Sequence, residues 1–390
     1  MPSTPIKSRL VLYFPGFEAI SSEAQLGRLD YSTKKTEPLW NFKRTSQPIE
    51  FPDGQKCAVS SSQTKGRDWQ VETRFVHFDW SDIVASYINW PYPSSLVQFL
   101  PKFLKFFVDG SNIRYLKASR RYWLFSIFPI VAIISFLALA WFAAGIVLPL
   151  LGIPYLFLQI VLTVILFVAL CKWPGDRIYM NLTINMGGFI RNMAEGNNTE
   201  INQRVDEFST ILQNEIESSE HDEILIVGHC FGVVWLVLAL SKVLKNKPDI
   251  FSSKNAIVYS LASSLPRIGL APCAQYVRDS LKKIMQCPDL FWHEIQTKDD
   301  IISFYKADPF KILGVTSTKA KYIIHRVRFK TAVNQARYKK IRRSFYRIHR
   351  QYILNYDKPV HFDFILRCFG PFSAKELALN TELAYELLEK

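Results

Sequence analysis

The sequence predicts an α/β fold: a mostly parallel sheet covered by helices on both faces and interrupted by a two-helix transmembrane hairpin. Three observations lead there. Short apolar strand patterns alternate with helix-length segments along most of the chain. One of them, Glu223 onward (EILIVGHCFGVVWLVLAL), runs from a buried strand through Gly228-His229-Cys230-Phe231-Gly232 into a long apolar helix. Between Tyr122 and Cys171 lie fifty residues without one Asp, Glu, Lys or Arg, room for two spans of roughly 20 residues each.

The elements follow in order. Arg9 to Phe14 (RLVLYF) reads as a strand that stops at Pro15-Gly16-Phe17, with a helix expected over the following EAISSEAQLGRL. Residues 31–68 are polar, with Pro48 and Pro52-Asp53-Gly54, and read as a surface excursion. Trp69 to Trp80 alternates as a second strand, and Ser81-Asp82 offers an N-cap for the helix DIVASYINW, which ends at Trp90. The spans are placed near 122–145 and 154–171, with Pro129 a kink in the first and Gly145, Pro149, Gly152 and Pro154 forming the turn. Trp123, Trp141, Tyr155 and Trp173 sit near the span ends, as interfacial aromatics do. The segment NLTINMGGFIRNMAEGNNTE reads as loop; its two glycosylation patterns would go unused in a cytoplasmic location. Val205, Phe208, Leu212 and Ile216 mark a helix over 202–219. Beyond the Cys230 turn, NAIVYSL, DLFWHEIQ and YIIHRVRF supply three more strands. The domain reading is therefore 1–115 and 175–390 as two parts of one α/β domain, with 116–174 as the hairpin between them.

Composition fits a folded, reducing-compartment protein. Apolar residues make up 49% of 390, enough for a large core, and the six cysteines show no CxxC pair or regular spacing. Neither a metal site nor a disulfide framework is expected, and no cofactor. The N-terminus lacks the apolar run of a secretory signal.

The chemistry centres on Cys230. A strand, a five-residue turn with glycine at both ends, and a helix make a nucleophile elbow, where the flanking Gly228 and Gly232 permit close backbone approach. The helix N-terminus favours the thiolate. Such a thiol needs a base and an orienting acid. Asp299 and Asp300 follow the DLFWHEIQ strand, with N-capping of a helix from Ile301 as the structural alternative. Asp308, before Pro309, reads as a turn residue. Of seven histidines, His229 lies inside the elbow as a pocket wall, and His77, His293 and His325 fall within strands. His221 precedes the elbow strand. His349 and His361 follow the last strand, with His349 preferred because it opens an apolar-spaced segment.

These features together resemble the α/β-hydrolase superfamily, and specifically membrane-embedded bacterial members of it. The resemblance runs over RLVLYFPGF, VETRFVHFDWSDIV, the elbow, DDIISFYKADP and RIHRQYIL with Gly370-Pro371 beyond. It implies Cys230 as nucleophile, Asp300 as acid (by its distance to Phe304 and Asp308) and His349 as base. Gly16, Phe17 and Phe231 would supply oxyanion-hole N–H groups. Cysteine stands where serine is commoner, which is similar to the elbows of dienelactone hydrolases and polyhydroxyalkanoate synthases. Thioester hydrolysis or acyl transfer then joins ester hydrolysis as an expected reaction, and a non-catalytic membrane scaffold on the same fold is the competing expectation.

The net charge is +14, and ten Lys and Arg residues between Arg326 and Arg350 have no acidic residue among them. No nucleic-acid signature accompanies them, so no nucleic-acid partner is expected; an anionic inner leaflet is the expected partner of the basic face. Basic residues flank both spans (Lys102 to Arg121; Lys172, Arg177, Arg191) and are missing from the turn between them. The positive-inside rule then puts both termini in the cytoplasm, in a bacterial inner membrane if the resemblance holds. A hairpin leaving the sheet before the elbow strand is expected to cap the site and admit an acyl or lipid substrate from the bilayer.

Overall fold

The structure, a computed structural model, describes residues 5–89, 92–152 and 155–389. They form two compact units: residues up to Ala85 together with those from Asn192 onward, and Ser86–Arg191.

The first unit is built on an eight-stranded sheet. Its strands are β1 (Ser8–Phe14), β2 (Lys43–Ser46), β3 (Cys57–Lys65), β4 (Gln70–Phe78), β5 (Glu223–His229), β6 (Ala256–Leu261), β7 (Leu290–Thr297) and β8 (Lys321–Val327). They lie in the order β2-β3-β4-β1-β5-β6-β7-β8. β3 runs antiparallel to both neighbours, and every pair from β4 across to β8 is parallel. The carboxyl ends of β1, β4, β5, β6 and β7 therefore open along one edge, where ligand sites of parallel sheets arise. β5 and β6 are buried along their whole length, as central strands covered on both faces must be.

The helices up to the elbow are α1 (Ser22–Trp40), α2 (Ser81–Ile88), α3 (Tyr92–Val108), α4 (Ser111–Ala118), α5 (Arg120–Leu150), α6 (Leu156–Arg177), α7 (Met180–Glu195), α8 (Thr199–Glu217) and α9 (Gly232–Asn246). Then come α10 (Leu265–Gly269), α11 (Gln275–Ile284), α12 (Pro309–Ile312), α13 (Phe329–Ala332), α14 (Gln335–Ile341), α15 (Phe345–Arg350), α16 (Phe364–Phe369) and α17 (Ala374–Leu379). One face of the sheet (Val11, Tyr13, Leu225, Val227, Tyr259, Ile295) packs on side chains of α1, α16 and α17. The alternate residues face the other way, where α9 lies on β1 and β5 between α8 and α11. Arg9 and Glu223, opposite each other in the β1–β5 register, form a fully buried ion pair. Arg9 also donates to the Gly370 and Phe372 carbonyls, and Glu223 accepts from Ser373 and Ala374, which ties the C-terminal segment to the sheet.

Several sequence expectations change. The polar stretch 31–68 is not an excursion: α1 continues to Trp40, and Lys43–Ser46 and Cys57–Lys65 are strands. CAVSSSQTK hides its strand character because Ser60, Ser62 and Thr64, though buried, are polar. The helix after β4 is capped by Asp79, whose carboxylate accepts from the Ser81 amide; Trp90 lies outside the described residues. The segment read as loop after the spans is α7, with Ile184, Phe189 and Met193 buried. Asn198, part of a glycosylation pattern, caps α8 by accepting from the Ile201 amide at 2.9 Å.

In the second unit, α5 and α6 pack against each other, and Phe99, Phe103, Ala132, Cys171, Met180 and Ile184 form a buried cluster. α5 and α6 are long and apolar enough to cross a membrane. At about 1.5 Å per residue they measure roughly 46 and 33 Å, against about 30 Å of hydrocarbon. Both outrun the predicted spans. Gly145 and Pro149 lie inside α5 rather than in a turn. Gly145 serves close helix approach instead: a Cβ there would stand 2.9 Å from the Gln159 amide nitrogen. Gly152, with φ +73°, makes the turn, and Pro154 lies outside the described residues.

Candidate active site

The site is built at the carboxyl end of β5. Cys230 has φ 57°, a left-handed conformation that costs a non-glycine residue energy and that persists only where its surroundings impose it. Those surroundings are visible. The Cys230 amide donates to the Leu261 carbonyl at 2.9 Å, and its own carbonyl accepts from the Ser264 and Val233 amides. The flanking glycines are required by contact: a Cβ on Gly232 would stand 1.9 Å from the Phe14 carbonyl oxygen, and one on Gly228 2.7 Å from the Val233 Cα. The turn thus wedges α9 against the end of β1 and aims the Cys230 side chain across the strand ends.

Asp300 and His349 converge on it. His349, in the last turn of α15 rather than at a helix start, donates from Nδ1 to Asp300 Oδ2 at 2.8 Å. Asp300 is fully buried and its other oxygen accepts from the Ile302 amide at 2.9 Å, so the carboxylate is fixed on both sides. His349 Nε2 is buried outside hydrogen-bond geometry of any described group. It is nevertheless near enough to the sulfur that each group shifts the other's pKa. Burial, the largest single influence, pushes the Cys230 thiol up, but the His349 imidazolium, Arg267 and Ser264 together outweigh it. The net effect is a fall to about 7. Burial pulls His349 down, but Asp300 and the Cys230 sulfur raise it to about 10. Between those values the stable pairing is thiolate with imidazolium.

Other expected residues fall into place around this pair. His229 donates from Nε2 to the His349 carbonyl at 3.1 Å and lies 5.1 Å from the His349 ring, fixing the backbone that carries His349. Gly16 borders the thiol: a Cβ there would stand 3.4 Å from Cys230 Cβ and 2.9 Å from His229 Nδ1. Its loop is pinned by the Trp80 indole, which donates to the Pro15 carbonyl. The rings of Phe17 and Phe231 sit 5.9 Å apart over the same turn.

Two candidates are placed elsewhere. Asp299 points away, accepting from the Phe329 and Lys330 amides at the start of α13 and from the Tyr338 hydroxyl. It is a helix cap, but of α13; no helix starts at Ile301. His361 packs against His325 and Phe362, and burial lowers its pKa to about 4. Asp308 caps α12 through the Phe310 and Lys311 amides. Among the described residues no group of three or more His, Cys, Asp or Glu could hold a metal ion.

Two site residues escaped the sequence reading. Ser264 Oγ lies 3.3 Å from the Cys230 sulfur. Buried Arg267 stacks over the Phe231 ring, its guanidinium carbon 4.9 Å from the centroid. Both follow β6, the strand beside the elbow strand, in ASSLPR. Position at the carboxyl end of a neighbouring strand was the only signal available. No family model, curated protein or solved structure matches the chain.

Proposed function

We propose that the protein is a membrane-anchored, α/β-hydrolase-like enzyme that cleaves ester or thioester bonds of acyl or lipid-like substrates through Cys230, His349 and Asp300. The observation that carries this reading is a cysteine held in left-handed conformation on a strand-to-helix turn, beside an imidazole oriented by a buried carboxylate. The order along the chain, nucleophile, acid, histidine, is that of α/β-hydrolases. In the first half-reaction the thiolate attacks the acyl carbonyl carbon, and the carbonyl oxygen takes the charge. Collapse expels the leaving group, which takes the proton from His349 Nε2. In the second, His349 removes a proton from water, which attacks the Cys230 thioester and releases the acid and the thiol. An alcohol or amine acceptor in place of water gives acyl transfer by the same steps. Amides of Gly16, Phe17 and Phe231 are the proposed oxyanion donors.

The bilayer reading rests on α5 and α6, which expose Leu124, Ile134, Phe142, Phe157, Val164 and Ile165 along their length. In water such a surface is costly; in lipid it is the expected one. The basic flanks then favour both ends of the pair on the cytoplasmic side of an inner membrane, and the basic segment Arg326–Arg350 suits an anionic leaflet. An acyl-thioester activity probe applied to membranes tests the chemistry: wild type labels, Cys230→Ala does not. Equal labelling of the two defeats the reading. Equal turnover of short water-soluble and long-chain thioesters would remove lipid from the substrate description.

A further inference from the structure

Within the first unit, a cleft opens beside β1 and β4 whose walls carry polar atoms with no hydrogen-bond partner among the described residues. Four buried polar atoms face this condition together: Tyr13 Oη, Gln25 Oε1, Arg28 Nη1 and His77 Nε2. Phe75 and Phe364 complete the wall, with Tyr13 5.7 Å from each ring. Tyr13, Gln25 and His77 are each at least nine-tenths buried. Polar atoms buried without partners are costly, and native proteins satisfy nearly all of them. Four around one cleft indicate an occupant.

The hydrogen-bond roles define that occupant. Ser22 gives its only proton to Asp79 at 2.7 Å. Amide and hydroxyl donors outweigh burial to keep Asp79 below the usual carboxylate range, so it acts as an acceptor. Ser22 Oγ must then accept from His77 Nδ1, 3.1 Å away. The His77 proton therefore sits on Nδ1, and Nε2 presents a bare lone pair. Burial holds this ring neutral, its pKa lowered to about 4. Gln25 spends its NH2 on the Ile20 carbonyl, leaving Oε1 as a second acceptor. Arg28, paired through its other nitrogen with Glu18 at 2.6 Å, offers a donor. Tyr13 can do either.

A carboxylate or phosphate would meet two acceptor atoms with no protons to give them, and an ammonium would meet Arg28. The fitting group is neutral, donates at least two hydrogen bonds and accepts one. The cleft is narrow, with space for one or two compact groups. We propose that this cleft is a binding site for a vicinal diol, its hydroxyls donating to His77 Nε2 and Gln25 Oε1 and accepting from Arg28.

The cleft adjoins the thiol site without being part of it. Glu18 bridges Arg28 to Arg350, the residue after His349, and Ile353 lines the cleft one helical turn further on. The proposal does not depend on thiol chemistry.

The test is nitrogen NMR of histidine-labelled full-length protein in detergent, with the His77 Nε2 signal assigned by His77→Phe. Titration with glycerol should shift that signal saturably; acetate at equal concentration should not. Gln25→Leu and, as a milder change, Tyr13→Phe should weaken glycerol binding roughly three- to tenfold. Cys230→Ala should bind as wild type does, so failure of the hydrolase reading would leave this result standing. A signal that glycerol does not move overturns the proposal and leaves a water-filled cleft. So does an equal response to acetate, or one that both variants retain in full.

Discussion

Asp300 holds His349 by a 2.8 Å hydrogen bond to Nδ1, and by doing so leaves Nε2 as the only ring nitrogen facing the Cys230 sulfur. Two consequences follow from the charge of that carboxylate. It fixes the tautomer, and it favours the imidazolium that in turn favours the thiolate. Asp300→Asn keeps the shape and removes the charge. The reactivity of Cys230 toward iodoacetamide at pH 7 should drop about tenfold or more, with little change in thermal stability. A variant as reactive as wild type would show that Asp300 only braces the loop.

Glycines at the elbow make a sharper structural prediction. Gly232→Ala puts a methyl group 1.9 Å from the Phe14 carbonyl oxygen and 2.6 Å from that of Pro15, both backbone atoms. Overpacking of this kind should cost about 3 kcal/mol, enough to lower the melting midpoint by several degrees. Gly27→Ala is the control: its Cβ meets nothing within 4 Å, and alanine is the better helix former, so stability should hold or rise by up to about 1 kcal/mol. Equal melting of the two variants would contradict the geometry.

The buried Arg9–Glu223 pair should behave as one unit. Arg9→Met leaves Glu223 charged and unpaired in the core and should destabilise by about 3–5 kcal/mol. Adding Glu223→Gln to that variant should recover part of the loss, a non-additivity that thermal melts of the single and double variants would measure. Additive losses would mean that the two side chains act independently.

The proposed membrane orientation is tested at Cys273, the one exposed cysteine of the six. With both ends of the spanning pair on the cytoplasmic side, a membrane-impermeant maleimide should leave Cys273 unlabelled in intact cells and label it after permeabilisation. Labelling of intact cells would reverse the orientation. Release of the protein by alkaline carbonate would argue against spanning altogether.

The sequence is most legible where burial is complete. β5, β6 and β7 are buried throughout, and their boundaries stand within a residue or so of expectation. Elements with mixed faces were harder: β3 carries three serines in a row, and α7 reads as loop because Asn, Gly and Thr alternate with its buried Ile184, Phe189 and Met193. The site divides in the same way. Cys230 is marked by its glycines, whose need is local. Asp300 could be separated from Asp299 by residues alone only once folding showed Asp299 turned toward α13. Ser264 reaches the sulfur, and Arg267 the neighbouring Phe231 ring, through the adjacency of β5 and β6, which no pattern within either segment encodes.

The central claim is that Cys230 is a thiolate made by its imidazole neighbour. The direct measurement is the pH dependence of Cys230 alkylation in a Cys273→Ser background, with and without His349→Gln. The account predicts a rate that reaches half its plateau near pH 7 in the parent, following the lowered pKa of about 7. Without His349, burial is opposed only by Arg267 and Ser264, and the midpoint should move above the ordinary thiol value of about 8.5. A parent midpoint already above that value, or one that His349→Gln leaves in place, would contradict it.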